Sequence, residues 1–499
     1  MASPKASEFD LLVVGGGING AGIARDAAGR GLAVILAEKG DLAGATSGWS
    51  SKLIHGGLRY LEQYELGLVR EALQEREVLL RVAPHIIRPL LFVLPHDASM
   101  RPAWMIRAGL WIYDRLGGPI TLPRSKSVRF PHLEYSAGLK PDFRSGFVYS
   151  DCRVDDARLT VLNAVSAREK GAEILTRTRF EDARRVDGRW EARLRLPDGS
   201  ERIVHAAALV NAAGPWVVDT LDTIHGERIR DKVRLVKGSH LIVPKVHSQG
   251  HALILQNTDK RVVFVIPYQN DFSLIGTTDV AVADVEEAAH ISPAETDYLL
   301  AAANRFLARP LGARDVVSSY AGVRPLYDDG SDNPSEVTRD YVLKMDVDHG
   351  RVPLLTVFGG KITTYRRLAE EALGHLAKFF PKVSRPWTAG EELPGGDVGH
   401  FNAYRDSMHS RYPQLGRELV EAVVRRHGSR APQVLGDSRF PEELGRNFGG
   451  ALTEREVKYL IANEWAQTAD DILWRRTKAG LHMSPAQREA FAQFMAARA

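Results

Sequence analysis

The chain has 499 residues, too many for a single hydrophobic core, so two or three domains with room for a bound cofactor are expected. Its one cysteine, Cys152, excludes an intramolecular disulfide and a multi-cysteine zinc or iron–sulfur site, and no metal centre is expected. The formal charge of +4 favours anionic small molecules or an anionic membrane surface, while the scattered Lys and Arg residues carry no nucleic-acid signature.

The first apolar run, Phe9–Val14, is too short for a signal-peptide core and predicts a buried strand. A helix over Asn19–Arg30 and a strand over Ala33–Glu38 complete a βαβ unit. Leu66, Val69, Leu73, Val78 and Leu79 recur at helical spacing, which predicts a helix over Glu65–Val82 ended by Pro84. A proline- and aromatic-rich region follows. Within it, Arg101–Leu116 presents Trp104, Met105, Ala108, Trp111, Ile112 and Leu116 as an apolar face, with Arg107 and Asp114 as a polar one. A surface anchor and a buried helix fit these residues equally. No apolar run reaches the roughly eighteen residues of a membrane span.

A helix is expected over Asp155–Lys170, then short strands over Glu173–Val210 with a hairpin turn at Asp198-Gly199 and a returning strand at Ala208–Asn211. Strands at Ser239–Val243, Val262–Pro267, Phe272–Gly276 and Tyr341–Met345 suggest an inserted β-rich substrate domain. A strand at Leu354–Phe358, a turn at Gly359-Gly360 and a helix over Thr363–Phe379 return to the nucleotide domain. Pro386–Gly396 reads as a linker to a helical C-terminal domain. The expected division is therefore 1–83, 151–232 and 348–385 as three parts of one nucleotide-binding domain. Segment 84–150 is a mixed substrate- and membrane-facing region, 233–347 the substrate domain and 386–499 the helical domain.

Gly15-Gly16-Gly17-Ile18-Asn19-Gly20 contains G-x-G-x-x-G between a strand and a helix, and Glu38 ends the next strand, eighteen residues beyond Gly20. In that context Gly15 permits the tight turn, Gly17 admits a pyrophosphate, Gly20 lets helix and sheet approach, and Glu38 accepts hydrogen bonds from a ribose. Two later glycine stations separate FAD from NAD. Gly214 follows the strand ending at Asn211, and Gly359-Gly360 precedes a helix start suited to the negative locus of a reduced flavin.

Ala45-Thr46-Ser47-Gly48-Trp49-Ser50-Ser51-Lys52-Leu53-Ile54-His55-Gly56-Gly57-Leu58-Arg59-Tyr60-Leu61 is long and distinctive. With Gly15–Gly20, Val323–Leu326, Thr338–Tyr341, Phe358–Tyr365, Leu393–Gly396 and Asp471–Thr477, it closely resembles the aerobic FAD-dependent glycerol-3-phosphate dehydrogenases over nearly the whole chain. The lack of a C-terminal EF-hand extension points to the bacterial type. The resemblance implies an α/β fold of the glutathione-reductase/D-amino-acid-oxidase superfamily, with a Rossmann-like FAD-binding domain, an inserted β-rich substrate domain and a helical C-terminal domain. It also implies noncovalent FAD, sn-glycerol 3-phosphate as substrate, a membrane quinone as electron acceptor and a homodimer. The enzyme would sit in the cytoplasm, peripheral on the inner face of the membrane. Thr46, Ser47, Ser51, Lys52, His55, Gly57 and Thr363 join the glycine stations and Glu38 as expected cofactor contacts.

Oxidising a secondary alcohol requires a proton acceptor, a hydride acceptor and a holder for the phosphate dianion. By the resemblance Arg59, Tyr60, Arg324, Arg339 and Lys361 form the substrate pocket, Lys361 also touching the cofactor; arginine's fork suits phosphate. His240 in Lys237-Gly238-Ser239-His240 is the first choice of base, His55 the second, and Arg324 would stabilise the developing alkoxide. Gly276-Thr277-Thr278-Asp279 is a polar turn that either meets substrate or is a plain loop. An oxygen-reducing glycerophosphate oxidase, or another flavin oxidase of the superfamily, is the alternative reading.

Overall fold

A computed structural model describes residues 7–97, 100–130, 133–259, 261–328 and 340–498. The βαβ unit is present: strand Ser7–Val14, helix Ile18–Gly29 and strand Val34–Ala37, the two strands pairing in parallel. Strand Glu201–Asn211 lies parallel on the other side of Ser7–Val14, followed outward by Arg351–Phe358. The alanine-rich helix Ile18–Gly29 packs between the helices Asp156–Glu169 and Tyr365–Leu376, and its Ala21, Ala24, Ala27 and Ala28 allow that close approach. Asp155 caps the second helix by accepting a hydrogen bond from the Arg158 amide.

The other sheet is assembled from distant pieces of sequence. Strands Leu53–Ile54, Ile87–His96, Lys126–Arg129 and Ser145–Val154 join Val233–Pro244, Ala252–Gln256, Val262–Tyr268, Phe272–Gly276, Val280–Val282 and Ser318–Tyr327. Segment 84–150 thus builds the same sheet as the later insertion. Helix Pro293–Asn304 covers one face, around Leu241, Leu253, Val265 and Ile275.

Two expectations need correction. Tyr341–Met345 was assigned to the substrate sheet, but strand Val342–Asp348 pairs antiparallel with Arg351–Phe358 at the edge of the nucleotide sheet. The hairpin to its neighbour is short, and local closure decides the partner. Pro386–Gly396 is not a free linker. Trp387 Nε1 donates to the Asp26 carbonyl at 3.1 Å, Arg25 Nη2 to the Glu391 carbonyl at 3.0 Å, and the Leu393 amide to the Val82 carbonyl at 2.8 Å. The C-terminal helices are held to helix Asp156–Glu169 by buried pairs, including Arg158 with Glu464.

Candidate active site

The βαβ turn opens onto a cavity of about 970 Å³ that runs from Glu38 to Arg324. Its first wall is a cradle of backbone. A Cβ at Gly15, where φ is +109°, would lie 2.5 Å from the Ala212 carbonyl oxygen, and one at Gly20 would lie 1.9 Å from the Gly15 oxygen. Only glycine fits either position. Both Glu38 oxygens accept backbone amides, from Gly16 at 2.6 Å and Gly40 at 2.7 Å, so the carboxylate organises its own loop while its remaining lone pairs face the cavity. Burial raises the Glu38 pKa, against the pull of these two amides. Ser47 Oγ accepts from the Ile18 amide at 2.9 Å, and Thr46 Oγ1 donates to the Val323 carbonyl at 2.5 Å.

Further along, Gly214 and Gly359-Gly360 line the same cavity, and Asn19 Nδ2 donates to the Gly359 carbonyl at 3.1 Å. Asn19 Oδ1 is buried with no hydrogen-bond partner. Thr363 Oγ1 accepts from the His55 amide at 3.3 Å, joining the second and last glycine-rich segments. Lys361 Nζ sits 4.1 Å from the centre of the Tyr60 ring.

His240 lies on strand Val233–Pro244, with its ring stacked on Tyr320 at 4.9 Å between centroids. Nε2 is 2.9 Å from Ser51 Oγ, and Nδ1 is buried without a partner. A Cβ on Gly276 would strike the ring at 2.1 Å, so glycine there makes room for the histidine. Burial, then the charges of Lys52 and Arg324, push the His240 pKa down to about 3, and the ring is neutral. Arg324 Nη2 donates to Asp279 Oδ1 at 2.6 Å and to the Thr278 carbonyl at 3.1 Å.

The cavity therefore gathers Gly15, Gly17, Glu38, Thr46, Ser47, Ser51, His55, Tyr60, Gly214, His240, Arg324, Gly359, Gly360, Lys361 and Thr363. Three expected contacts are not on its wall. Gly20 packs the helix onto the turn. Gly57, with φ at +75°, turns the chain beside Tyr60. Lys52 is buried in an ion pair with Asp156 at 2.9 Å and donates to the Gly48 carbonyl at 3.0 Å, so it props the segment from beneath. The Arg59 side chain and Arg339 lie outside the described residues.

A family model described as FAD dependent oxidoreductase matches residues 10–366, and one described as the C-terminal domain of alpha-glycerophosphate oxidase matches residues 387–498. The chain is 52% identical to a glycerol-3-phosphate dehydrogenase of Pseudomonas aeruginosa, over 99% of this chain and 96% of that one. It is 49% identical to the aerobic glycerol-3-phosphate dehydrogenase of Escherichia coli, over 97% of each. The chain belongs to the FAD-dependent glycerol-3-phosphate dehydrogenase family. The chain is likewise 51% identical to a D-erythritol 1-phosphate dehydrogenase of Brucella abortus, over 99% of this chain and 98% of that one. Among solved structures, the glycerol-3-phosphate dehydrogenase from Bacillus halodurans complexed with FAD superposes with a TM-score of 0.74 at 26% identity, covering 98% of this chain and 94% of that one.

FAD, the family's cofactor, fits this cleft: a glycine cradle without Cβ atoms at one end, an orphaned buried amide oxygen on Asn19 further in, and backbone glycines at Gly359-Gly360. Lys39, Trp216 and Arg475 also line the cleft and were not anticipated. Lys39 Nζ lies 3.4 Å from the centre of the Trp216 ring. Trp216 stands two residues after Gly214, a signal present in the sequence. Nothing in spacing could bring Arg475 to the other end of the chain.

Proposed function

We propose that the chain oxidises sn-glycerol 3-phosphate to dihydroxyacetone phosphate and passes the electrons to a membrane quinone. The observation that carries this reading is the His240–Ser51 pair opening onto the same cleft as the glycine cradle. Bound FAD supplies the hydride acceptor, which no protein side chain can provide. His240 Nε2 takes the C2 hydroxyl proton, directly or through the Ser51 hydroxyl. Burial is the main cause of the low His240 pKa, and a phosphate dianion in the cleft offsets the further pull of Lys52 and Arg324, so substrate binding raises the histidine's basicity. Arg324, Lys361 and Tyr60, with Arg59 and Arg339, hold the phosphate; to do so, Arg324 shares or exchanges its bond to Asp279.

The test is an anaerobic spectrum of the purified flavoprotein before and after glycerol 3-phosphate. Bleaching of the flavin bands is expected, and an unchanged spectrum refutes the reading. Hydrogen peroxide formed in stoichiometric amount without quinone would instead identify an oxidase. The near-equal identity to the erythritol phosphate enzyme favours one second reading, a longer polyol phosphate as substrate. Comparing kcat/KM for glycerol 3-phosphate and D-erythritol 1-phosphate decides between them.

Among the described residues, no helix is long and apolar enough to cross a membrane. Peripheral attachment to the cytoplasmic face rests on helix Ala103–Leu116, whose polar face is turned to the protein and whose apolar face is exposed. Arg107 and Asp114, its polar face, turn inward: Arg107 Nη1 donates to Ser125 Oγ at 2.9 Å, and buried Asp114 accepts from that same hydroxyl at 2.6 Å. Trp104 is 71% exposed and Trp111 52%, with Met105 and Ile112 beside them. An outward apolar face with Arg115 stacked on Trp111 at 4.2 Å suits an anionic bilayer surface. Trp104→Glu should release the enzyme from anionic liposomes and slow quinone reduction; unchanged sedimentation removes this helix as the anchor.

A further inference from the structure

A second cavity, of about 440 Å³, lies where the substrate sheet meets the C-terminal helices. Its wall carries an unusual pairing. Strands Ile87–His96 and Ser145–Val154 run antiparallel with Arg88 directly opposite Arg153. Residues so placed share one face of the sheet with their Cβ atoms about 5 Å apart, and like charges there repel. Both side chains line the cavity, both are only partly exposed, and the Nε of each is buried without a hydrogen-bond partner. No carboxylate offsets the burial of Arg153, whose pKa is lowered by desolvation alone.

Three of the four acids on this wall are engaged elsewhere, and the fourth, Glu418, is exposed on a C-terminal helix rather than on the strands that carry the two arginines. Asp155 pairs with Lys478, Glu421 with Arg425 and with His409 at 3.2 Å, and Asp271 lies 3.3 Å from His482. His85 is buried on the same wall, and both its ring nitrogens lack a partner, which leaves one donor and one acceptor uncommitted. Two half-buried guanidiniums facing each other across the strands, beside an imidazole with uncommitted nitrogens, make a place that favours a mobile anion.

We propose that this cavity is a second anion site, separate from the catalytic cleft, and that it takes a phosphate dianion between Arg88 and Arg153. The phosphate group is the chemistry that two planar forks recognise, each guanidinium donating to a different edge of the tetrahedron. The volume admits either inorganic phosphate or a small phosphate monoester.

The experiment uses the FAD holoenzyme at fixed ionic strength, with chloride as the balancing anion. Inorganic phosphate is expected to raise the melting temperature of the wild type. Arg88→Gln and Arg153→Gln, on facing strands, should each lose part of that rise while keeping the part due to the catalytic cleft. Losing one charge-assisted contact weakens the second site roughly ten- to hundredfold. Identical phosphate responses in the wild type and both variants overturn the proposal. Wild-type crystals soaked in tungstate give a readout that does not depend on the variants folding. An anomalous peak between the two guanidiniums supports the site, whereas tungstate bound in the catalytic cleft and none here overturns it. Repeating the melts with methyl phosphate distinguishes an ester from the free ion; either response, if lost in the variants, supports the site.

Discussion

Ser51 Oγ and His240 Nε2 are 2.9 Å apart, although 189 residues separate them in sequence. The contact joins the serine-rich segment after the βαβ unit to the substrate sheet and orients the imidazole at the cleft. His240→Asn is expected to lower the rate of anaerobic flavin bleaching by about 10²–10⁴-fold with FAD content unchanged, the range usual for a lost general base. The folded-state pKa of about 3 lies below the ordinary histidine value, so the free enzyme keeps His240 neutral down to that pH. An acid limb in kcat/KM near pH 6 therefore has to come from another group and should persist in Ser51→Ala. A limb near pH 6 that moves in Ser51→Ala would show that His240 itself titrates there.

The βαβ unit and its glycines were legible because their constraints are local. Gly15 must turn, Gly20 must touch, and Glu38 must follow at the end of the next strand. What failed was non-local. Alternation along Tyr341–Met345 predicts a strand but cannot name its sheet. The resemblance makes Lys52 a cofactor contact, and only the fold brings up Asp156, 104 residues away, to hold its side chain beneath the segment. For helix Ala103–Leu116 periodicity shows two faces without saying which is wet, and the long-range contact decides: Ser125 draws Arg107 and Asp114 inward.

Arg324, expected to meet the substrate's phosphate or developing alkoxide, is paired with Asp279. Arg324→Lys keeps the charge but loses the fork. A lost charge-assisted hydrogen bond to phosphate, about 1.5–3 kcal/mol, lowers kcat/KM for glycerol 3-phosphate roughly ten- to hundredfold. Glycerol, which lacks the phosphate, should be little affected. Asp279→Asn removes the competing carboxylate and should lower KM for glycerol 3-phosphate. Equal losses on both substrates in Arg324→Lys would place the guanidinium at the reacting carbon instead.

His247 and His251 stack with ring centroids 4.4 Å apart between strands Val233–Pro244 and Ala252–Gln256. Burial, then Lys245, lowers the pKa of His247 to about 4, and burial, then His247, lowers that of His251 to about 3. Unfolding restores both to near 6.5, so below that value the unfolded chain binds protons that the folded one does not. Stability is thus whole above about pH 6.5 and falls as pH drops towards 4. Urea denaturation of His251→Gln should show a shallower decline between pH 6.5 and 4.5 than the wild type. Parallel curves would mean that neither histidine contributes.

Asp41 ties the two ends of the chain together. Its carboxylate accepts from Arg476 Nη1 at 2.7 Å, Arg476 Nη2 at 2.8 Å and Arg475 Nε at 2.6 Å. Asp41 is buried, and Arg476 is fully buried. The same loop also holds the cofactor cradle: the Gly40 amide binds Glu38, the Ala43 amide binds the Gly16 carbonyl at 3.2 Å, and Arg475 reaches the cleft wall. Asp41→Asn leaves two guanidiniums facing a neutral amide. Breaking one side of a buried ion-pair network costs about 3–5 kcal/mol, far more than a surface pair. The variant should unfold at lower denaturant and, because the loop loses its anchor, bind FAD more weakly. Arg476→Gln separates the two effects: it breaks the buried pair without altering the Arg475 side chain at the cleft, so stability should fall with a smaller loss of FAD affinity. Asp41→Asn matching the wild type in both stability and FAD affinity would show that the C-terminal domain does not hold the cradle.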